Sequence, residues 1–439
     1  MDVPSSRQIL SLAFPMAGEH FLVFGLLIFD NYLVGHLGLL ELSAQAVVTH
    51  WVLFTSVLYS ITGTAGSILV AQAVGRGRLN SANKIIVSAL LLAFTSGALA
   101  TVVVFLFTSF LFELMAVEMA VTEIGVPYFR MLSISFPFNF LLLTAAGCLR
   151  GSGDARTPVM IIGVSNLFHI LLAFLLVFGI GNYPGVGLVG IGWATVISRS
   201  LGALSILLLL IKGINHLQLG WFGLDLNEFR GIIFLGGAVG GEQLALRVGQ
   251  IVNLRLVAEL GTLALATYVI VLNTLSLILL IGMGFMNTAM TLVGQQIGSG
   301  KVNTVYSTGW RTLFHAWIVM GSVVVVFYLF PGVADLFTND ADVLALVPLS
   351  LGILLLGVPF EAVNQVLTGG IRGAGDTQFP MIITIIGHWL IRLPLILVFI
   401  GPLKVGLNGI WLAMVIEMFS RSILYVFRFR KAFGASSYR

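Results

Sequence analysis

A single cysteine, Cys148, in 439 residues excludes internal disulfides and any thiolate metal site. Charge is nearly as scarce. Only 9% of residues are charged against 58% hydrophobic, and the mean hydropathy is +1.05, so the chain cannot stay soluble as a globular protein. The seven histidines are scattered without metal spacing. There is no Ser/His/Asp or Cys/His grouping and no HExxH, so neither catalysis nor a resident metal or cofactor is expected. No polar stretch is long enough for an appended soluble domain.

What the chain has instead is apolar length. Stretches able to cross about 30 Å of hydrocarbon fall at 9–34, 45–74, 85–110, 124–148, 158–180, 187–211, 231–257, 265–296, 307–331, 343–370, 380–400 and 406–428. The first is too long for a cleaved leader and carries Glu19 and Asp30. Twelve spans put both termini on one side. Loops on that side hold Arg76, Arg78, Lys84, Arg150, Arg156, Lys212, Arg230, Lys301 and Arg372, and the tail adds more. The opposite loops hold only Lys404, among acids such as Glu41, Glu113, Glu118, Glu123, Glu259, Asp335, Asp340 and Asp342. Both termini are therefore expected to be cytoplasmic, in a multi-pass protein of the cytoplasmic membrane. The net charge of +4 suits this topology and anionic headgroups rather than nucleic acid.

The chain also repeats itself. Leu149-Arg150-Gly151-Ser152-Gly153-Asp154 returns as Ile371-Arg372-Gly373-Ala374-Gly375-Asp376, each copy shortly before a proline, Pro158 or Pro380. Gly18-Glu19 matches Gly241-Glu242, Pro137-Phe138 matches Pro359-Phe360, and Leu69-Val70-Ala71-Gln72 matches Leu292-Val293-Gly294-Gln295. The expected fold is an all-α integral membrane protein of twelve helices in two six-helix repeats. An even number per repeat implies a pseudo-two-fold along the membrane normal. The expected organisation is an N-terminal lobe over 1–211, a cytoplasmic linker over 212–230, a C-terminal lobe over 231–428 and a tail over 429–439. The Arg-Gly-x-Gly-Asp loops lack the Lys-Ser/Thr ending and preceding strand of a phosphate loop, so they are expected to cap helices and pin helix ends.

Ionisable groups at bilayer depth are functional candidates. Asp30 lies about 20° off the face of Glu19 and some 16 Å further along one helix, so a single face carries two carboxylates and should line a wet interior. The second half places Asn253 opposite Asp30, and Glu242 opposite Glu19. Gln243, Arg247 and Gln250 form a polar stripe in the seventh span. Glu361 follows Pro359, where the first half has Asn139 after Pro137, and a carbonyl beside a carboxylate suits a hard cation. For Glu242 and Glu361 the competing expectation is structural pairing with Arg247 or Arg392. His169 and His388 lie within spans as hydrogen-bond partners or proton carriers. Arg130, Arg199, Arg255 and Arg421 lie near span ends and are expected to snorkel to headgroups.

Asp30 with Val34-Gly35-His36-Leu37-Gly38, Val293-Gly294-Gln295 with Gly298, and the paired Arg-Gly-x-Gly-Asp loops together resemble the multidrug and toxic compound extrusion family over essentially the full length. The resemblance implies alternating access and export of amphipathic organic cations against Na⁺ or H⁺. It implies coupling at Asp30, with Glu242 and Glu361 as the corresponding acids of the second half. One stretch departs from the family pattern. Asn166 remains, but His169 and Ala173 stand where a second Asn and an Asp would align, leaving fewer oxygen ligands beside Asp30. The expected function is a monomeric cation-coupled antiporter, with a lipid-linked precursor flippase or a non-transporting scaffold or receptor as alternatives.

Overall fold

The computed structural model describes residues 3–179, 184–215, 217–220, 226–329 and 340–434. Asp225, Asp335 and the tail beyond Gly434 lie outside them. The described residues are helical almost throughout; their one extended pairing is a bridge between Ile214 and Leu217.

The first half runs α1 (Ser6–Gly35), α2 (Leu39–Gly75), α3 (Leu79–Leu114), α4 (Met119–Ser133), α5 (Phe136–Ser152), α6 (Arg156–Phe178) and α7 (Leu188–Lys212). The second runs α8 (Leu226–Ala258), α9 (Thr262–Gly298), α10 (Val302–Leu329), α11 (Ala341–Leu355), α12 (Val358–Gly373), α13 (Gln378–Ile385), a π-helical turn (Ile386–Arg392), α14 (Leu393–Ile400) and α15 (Leu407–Phe433). Among the described residues ten spans are long and apolar, and the broken pairs α4–α5 and α11–α12, each bent by 48°, bring the number to twelve when each pair is taken as one span. All twelve coincide with the apolar stretches of the sequence. At 37 residues, α2 and α9 are roughly 55 Å long and must reach beyond the hydrocarbon.

Both breaks precede a proline in the first turn of the following helix, Pro137 in α5 and Pro359 in α12. Proline has no N–H to return to the carbonyl four residues back. That carbonyl on Ser133 is instead satisfied by the Thr101 hydroxyl of α3 at 2.6 Å. The π-helical turn likewise runs into Pro394.

Two compact units result. One, called here the N unit, is Glu19–Gly240; the other, the C unit, combines Met1–Gly18 with Gly241–Arg439. This partition differs from the expected lobes at 1–211 and 231–428, because it passes through α1 and α8 rather than the connector. Small residues explain where each helix is held. In the C unit the start of α1 lies so close to α9 that a Cβ on Gly284 would meet the Ala13 carbonyl at 2.7 Å. In the N unit a Cβ on Gly236 of α8 would meet the Ile61 carbonyl of α2 at 2.4 Å. Glycine and alanine permit such approach where lipid supplies no hydrophobic drive. The described part of the 212–230 connector is anchored on the N unit, Gln218 N–H donating to Asn83 Oδ1 at 3.0 Å and Asn215 to Asp154 at 2.7 Å.

Packing repeats within the units. In the N unit α2 lies on α3 and α5, while α6 lies on α7; in the C unit α9 lies on α10 and α12, and α15 on α12. Each unit has its own core, around Val48, Phe129 and Phe140 in one and Phe285, Leu354 and Trp411 in the other.

Candidate functional site

Asp30 sits late in α1 and lines a cavity of ≈ 250 Å³ inside the N unit. Its carboxylate meets His169 Nε2 of α6 at 2.9 Å, and the ring is fully enclosed, with 1% of its side chain exposed against 17% for Asp30. Asn139 of α5, Thr55 and Ser56 of α2, Ser135, and Thr195 and Arg199 of α7 bring polar groups to the same space, between the apolar walls of Leu26, Phe136 and Phe140. Asn166 is buried one α-turn before Ile170 on the same helix; it donates to the Leu22 carbonyl at 2.8 Å and accepts from Arg199 at 3.1 Å. The sequence named Asp30, Asn139, Asn166 and His169 separately, and the fold assembles them. At the stretch that departs from the expected pattern, an imidazole lies directly on Asp30. Ala173 is fully buried and packs in the core.

Arg199 corrects an expectation. It does not snorkel to a headgroup but turns into the cavity, because Asn166 holds its guanidinium there. Arg421 is corrected in the same way: it is buried in α15, reaching Glu417 at 2.6 Å and Glu361 at 3.2 Å. Arg255 is exposed.

In the C unit Glu361, His388, Arg392, Glu417 and Arg421 form one network. Glu417, wholly buried, is held by Arg392 at 2.7 Å and Arg421, with His388 Nδ1 at 3.4 Å. Glu361 accepts from Arg421, from Asn364 at 3.1 Å and from Gln365 at 3.4 Å. The expected partner of Glu361, Arg392, belongs instead to Glu417. Glu417 was not singled out from the sequence; its four-residue spacing to Arg421 on one helix face was the available signal. With three donors on its oxygens, Glu361 offers a hard cation little lone-pair density in this arrangement. His388 and Arg392 both come from the π-helical turn, whose extra residue per turn rotates them onto α15.

Glu242 is not met by Arg247. It is buried against Arg372 at 2.5 Å and accepts from the Thr384 hydroxyl at 3.0 Å. Arg247 instead bonds Gln250 at 3.1 Å; Gln243 is half-buried beside them and Asn253 is buried. Glu19 forms the matching pair with Arg150 in the N unit. The two Arg-Gly-x-Gly-Asp loops therefore do the same four things. The arginine reaches back to the first acid of its half. Gly151 and Gly373 pass carbonyls of Ser67 and Met290 so closely that a Cβ would stand 2.3 and 2.4 Å away. Gly153 and Gly375 take φ 97° to end the helix, with Asp154 N–H returning to Leu149 and Asp376 N–H to Ile371. Asp154 and Asp376 then accept N–H groups from the next helix, at 3.0 Å from Thr157 and 3.1 Å from Phe379. Among the described residues no group of three or more His, Cys, Asp or Glu could hold a metal.

The duplicated loops, the two proline-broken spans and the acid on the opening helix of each half form one pattern written twice. The MatE family model matches the chain in two copies, residues 15–175 and 239–398. The chain belongs to the MatE family. Similar to this MatE chain is the probable multidrug resistance protein NorM of Thermotoga maritima, 28% identical over 96% of this chain and 92% of the relative. The uncharacterized transporter YisQ of Bacillus subtilis is 25% identical over 85% of this chain and 83% of its own length. Among solved structures, a MOP superfamily transporter from Pyrococcus furiosus superposes with a TM-score of 0.92 at 20% identity, covering 98% of the MatE chain and 96% of the other. An outward-facing multidrug resistance MATE family transporter superposes equally, with a TM-score of 0.92 at 20% identity. At that identity the superpositions speak for the fold alone, an all-helical multi-pass membrane protein.

Proposed function

We propose that the protein is a proton-coupled antiporter of the cytoplasmic membrane, with both termini cytoplasmic, that exports amphipathic organic compounds carrying a basic nitrogen. The observation that carries this is Asp30, a carboxylate lining a cavity whose direct partner is an imidazole at 2.9 Å. A proton needs one basic oxygen. Na⁺ needs several oxygens around it, and here a ring nitrogen and the Arg199 guanidinium occupy places where further ligands would stand. The family and the multidrug resistance names of its relatives support export of drug-like molecules.

Antiport then follows from competition. A protonated Asp30 favours one conformation, a bound organic compound favours another, and the two ligands differ in which they stabilise. Moving one charge through about 100 mV supplies about 2.3 kcal/mol, enough for nearly two decades of substrate gradient. Glu242 and Glu361 stay in the proposal as second-half coupling acids, each of which would exchange a guanidinium for the ion.

Efflux of ethidium from proteoliposomes tests this under an imposed pH gradient or, separately, a Na⁺ gradient. The pH gradient is expected to drive efflux and Asp30→Asn to abolish it. Efflux driven by Na⁺ alone would replace the proton. An unaffected Asp30→Asn protein would move coupling to Glu361 or Glu242.

A further inference from the structure

A second space opens in the N unit along the outside of α6 and α7. Met160, Val164 and Phe168 of α6 face Leu201 and Ser205 of α7 across a groove of ≈ 430 Å³, which shares no lining residue with the cavity of Asp30. Small residues make it. Gly202 lies at the floor, where a Cβ would stand 3.1 Å from Ser165 Oγ, and Ser165 donates to the Ser198 carbonyl at 2.8 Å. By the repeat that sets Pro158 on Pro380 and Gly187 on Gly406, Ser165 and Gly202 correspond to Gly387 and Arg421. That place in the second half is filled, since a Cβ on Gly387 would meet Arg421 Cδ at 2.8 Å.

One end of the groove is basic. Thr157 comes seven residues before Val164 and Lys212 seven after Ser205, so each continues its groove face within about 20° and roughly 10 Å further along the axis. Arg156 stands one turn before Met160. The 2.7 Å bond from Asn215 to Asp154 ties these two helix ends together, which puts both cations at the same end. Arg156 and Lys212 are exposed, and among the described residues neither has an ion pair. The neighbouring acid, Asp154, already accepts from Asn215 and from the Arg156 and Thr157 N–H groups.

Apolar walls alone select nothing in a membrane, where acyl chains offer the same contacts everywhere. Two cations at the headgroup end do select. We infer that the α6–α7 groove binds an anionic phospholipid, with one acyl chain between Val164 and Leu201 and the phosphate on Arg156 and Lys212. Basic residues beside a membrane helix attract such headgroups. The exposed Ser205 hydroxyl adds a hydrogen-bonding group deeper in the groove. Binding here does not require the antiport proposed above.

The test uses purified full-length protein in neutral detergent and two lipids carrying the same fluorophore on one acyl tail, phosphatidylglycerol and phosphatidylcholine. Binding is read by fluorescence anisotropy for wild type and three variants, each checked for mass by light scattering. Arg156→Gln with Lys212→Gln removes the cations, Ser205→Phe fills the groove, and Lys301→Gln removes an exposed base elsewhere. The wild type should prefer phosphatidylglycerol about tenfold, the scale of two basic residues at a headgroup. The double variant should bring that ratio near one. Ser205→Phe should weaken phosphatidylglycerol binding several-fold, and Lys301→Gln should leave it unchanged. No preference in the wild type, a preference that survives the double variant, undiminished binding in Ser205→Phe or an equal loss in Lys301→Gln would overturn the inference. So would a dimer that Ser205→Phe breaks, because a second copy would then cover the groove. Displacement of the lipid by millimolar glycerol phosphate would also overturn it, leaving a phosphate site without a chain.

Discussion

At the residue scale, the pairing of Asp30 with His169 decides how the N-unit cavity behaves. His169 is enclosed and rigidly placed, so its donor to Asp30 is fixed rather than sampled. Asp30 is half-buried, so losing this donor should cost towards the lower end of the about 1–3 kcal/mol that an unsatisfied buried acceptor incurs. His169→Gln keeps a donor of similar reach and should hold gradient-driven dye efflux within a few-fold of wild type. His169→Leu removes it and should lower the initial efflux rate by about tenfold; equal rates for the two variants would show that the contact is dispensable. Asp30 was legible from sequence because a carboxylate in a span demands a reason. Its partner was not, since His169 lies 139 positions away and only the packing of α1 on α6 joins them. Arg199 and Arg421 were misjudged for a related reason: proximity to a span end suggests snorkelling, and only the fold shows which way a long side chain turns.

At the element scale, the Arg-Gly-x-Gly-Asp loop is a joint assembled from four separate requirements, each met by one residue type. Gly151 and Gly373 have no room for a methyl group, and the obstacle is backbone, which cannot rotate aside. Either Gly→Ala change should destabilise the protein by about 1–3 kcal/mol, read as a lower midpoint of thermal unfolding in detergent. The arginine fails differently. Arg150→Gln leaves Glu19 buried without a counter-charge, at a cost of about 3–5 kcal/mol. The double variant Glu19→Gln with Arg150→Gln removes both charges and should regain most of that midpoint; a double variant as unstable as the single would show that the ion pair is not what Arg150 provides. The loop's capping part was visible in the sequence, where two glycines precede an Asp and a helix-opening proline. The ion pair was not, because the acid lies 131 residues away in the N unit and 130 in the C unit. The breaks at Pro137 and Pro359 were legible as kinks, while the π-helical turn that delivers His388 and Arg392 to Glu417 has no comparable signature.

At the scale of the whole molecule, hydropathy and the repeat were enough to locate the twelve spans, since a long apolar segment in hydrocarbon must satisfy its own backbone and does so as a helix. The division into units was not legible, because nothing in composition marks Gly18-Glu19 or Gly240-Gly241 as places where a continuous helix changes its packing partners. Orientation rests on the asymmetry of basic residues, and the chain's shortage of cysteine makes it easy to test. Cys148 is fully buried, so Cys148→Ser gives a cysteine-free background at the cost of one substitution. Ser299, after α9, is exposed on the side expected to be cytoplasmic; Lys404, before α15, is exposed on the other. In intact cells a membrane-impermeant maleimide should label Lys404→Cys at once and Ser299→Cys only after permeabilisation. The opposite pattern would invert the topology read from the basic residues but leave the direction of the proposed antiport unchanged, because the gradient, not the orientation of the protein, sets which way the proton and its counter-moving substrate run.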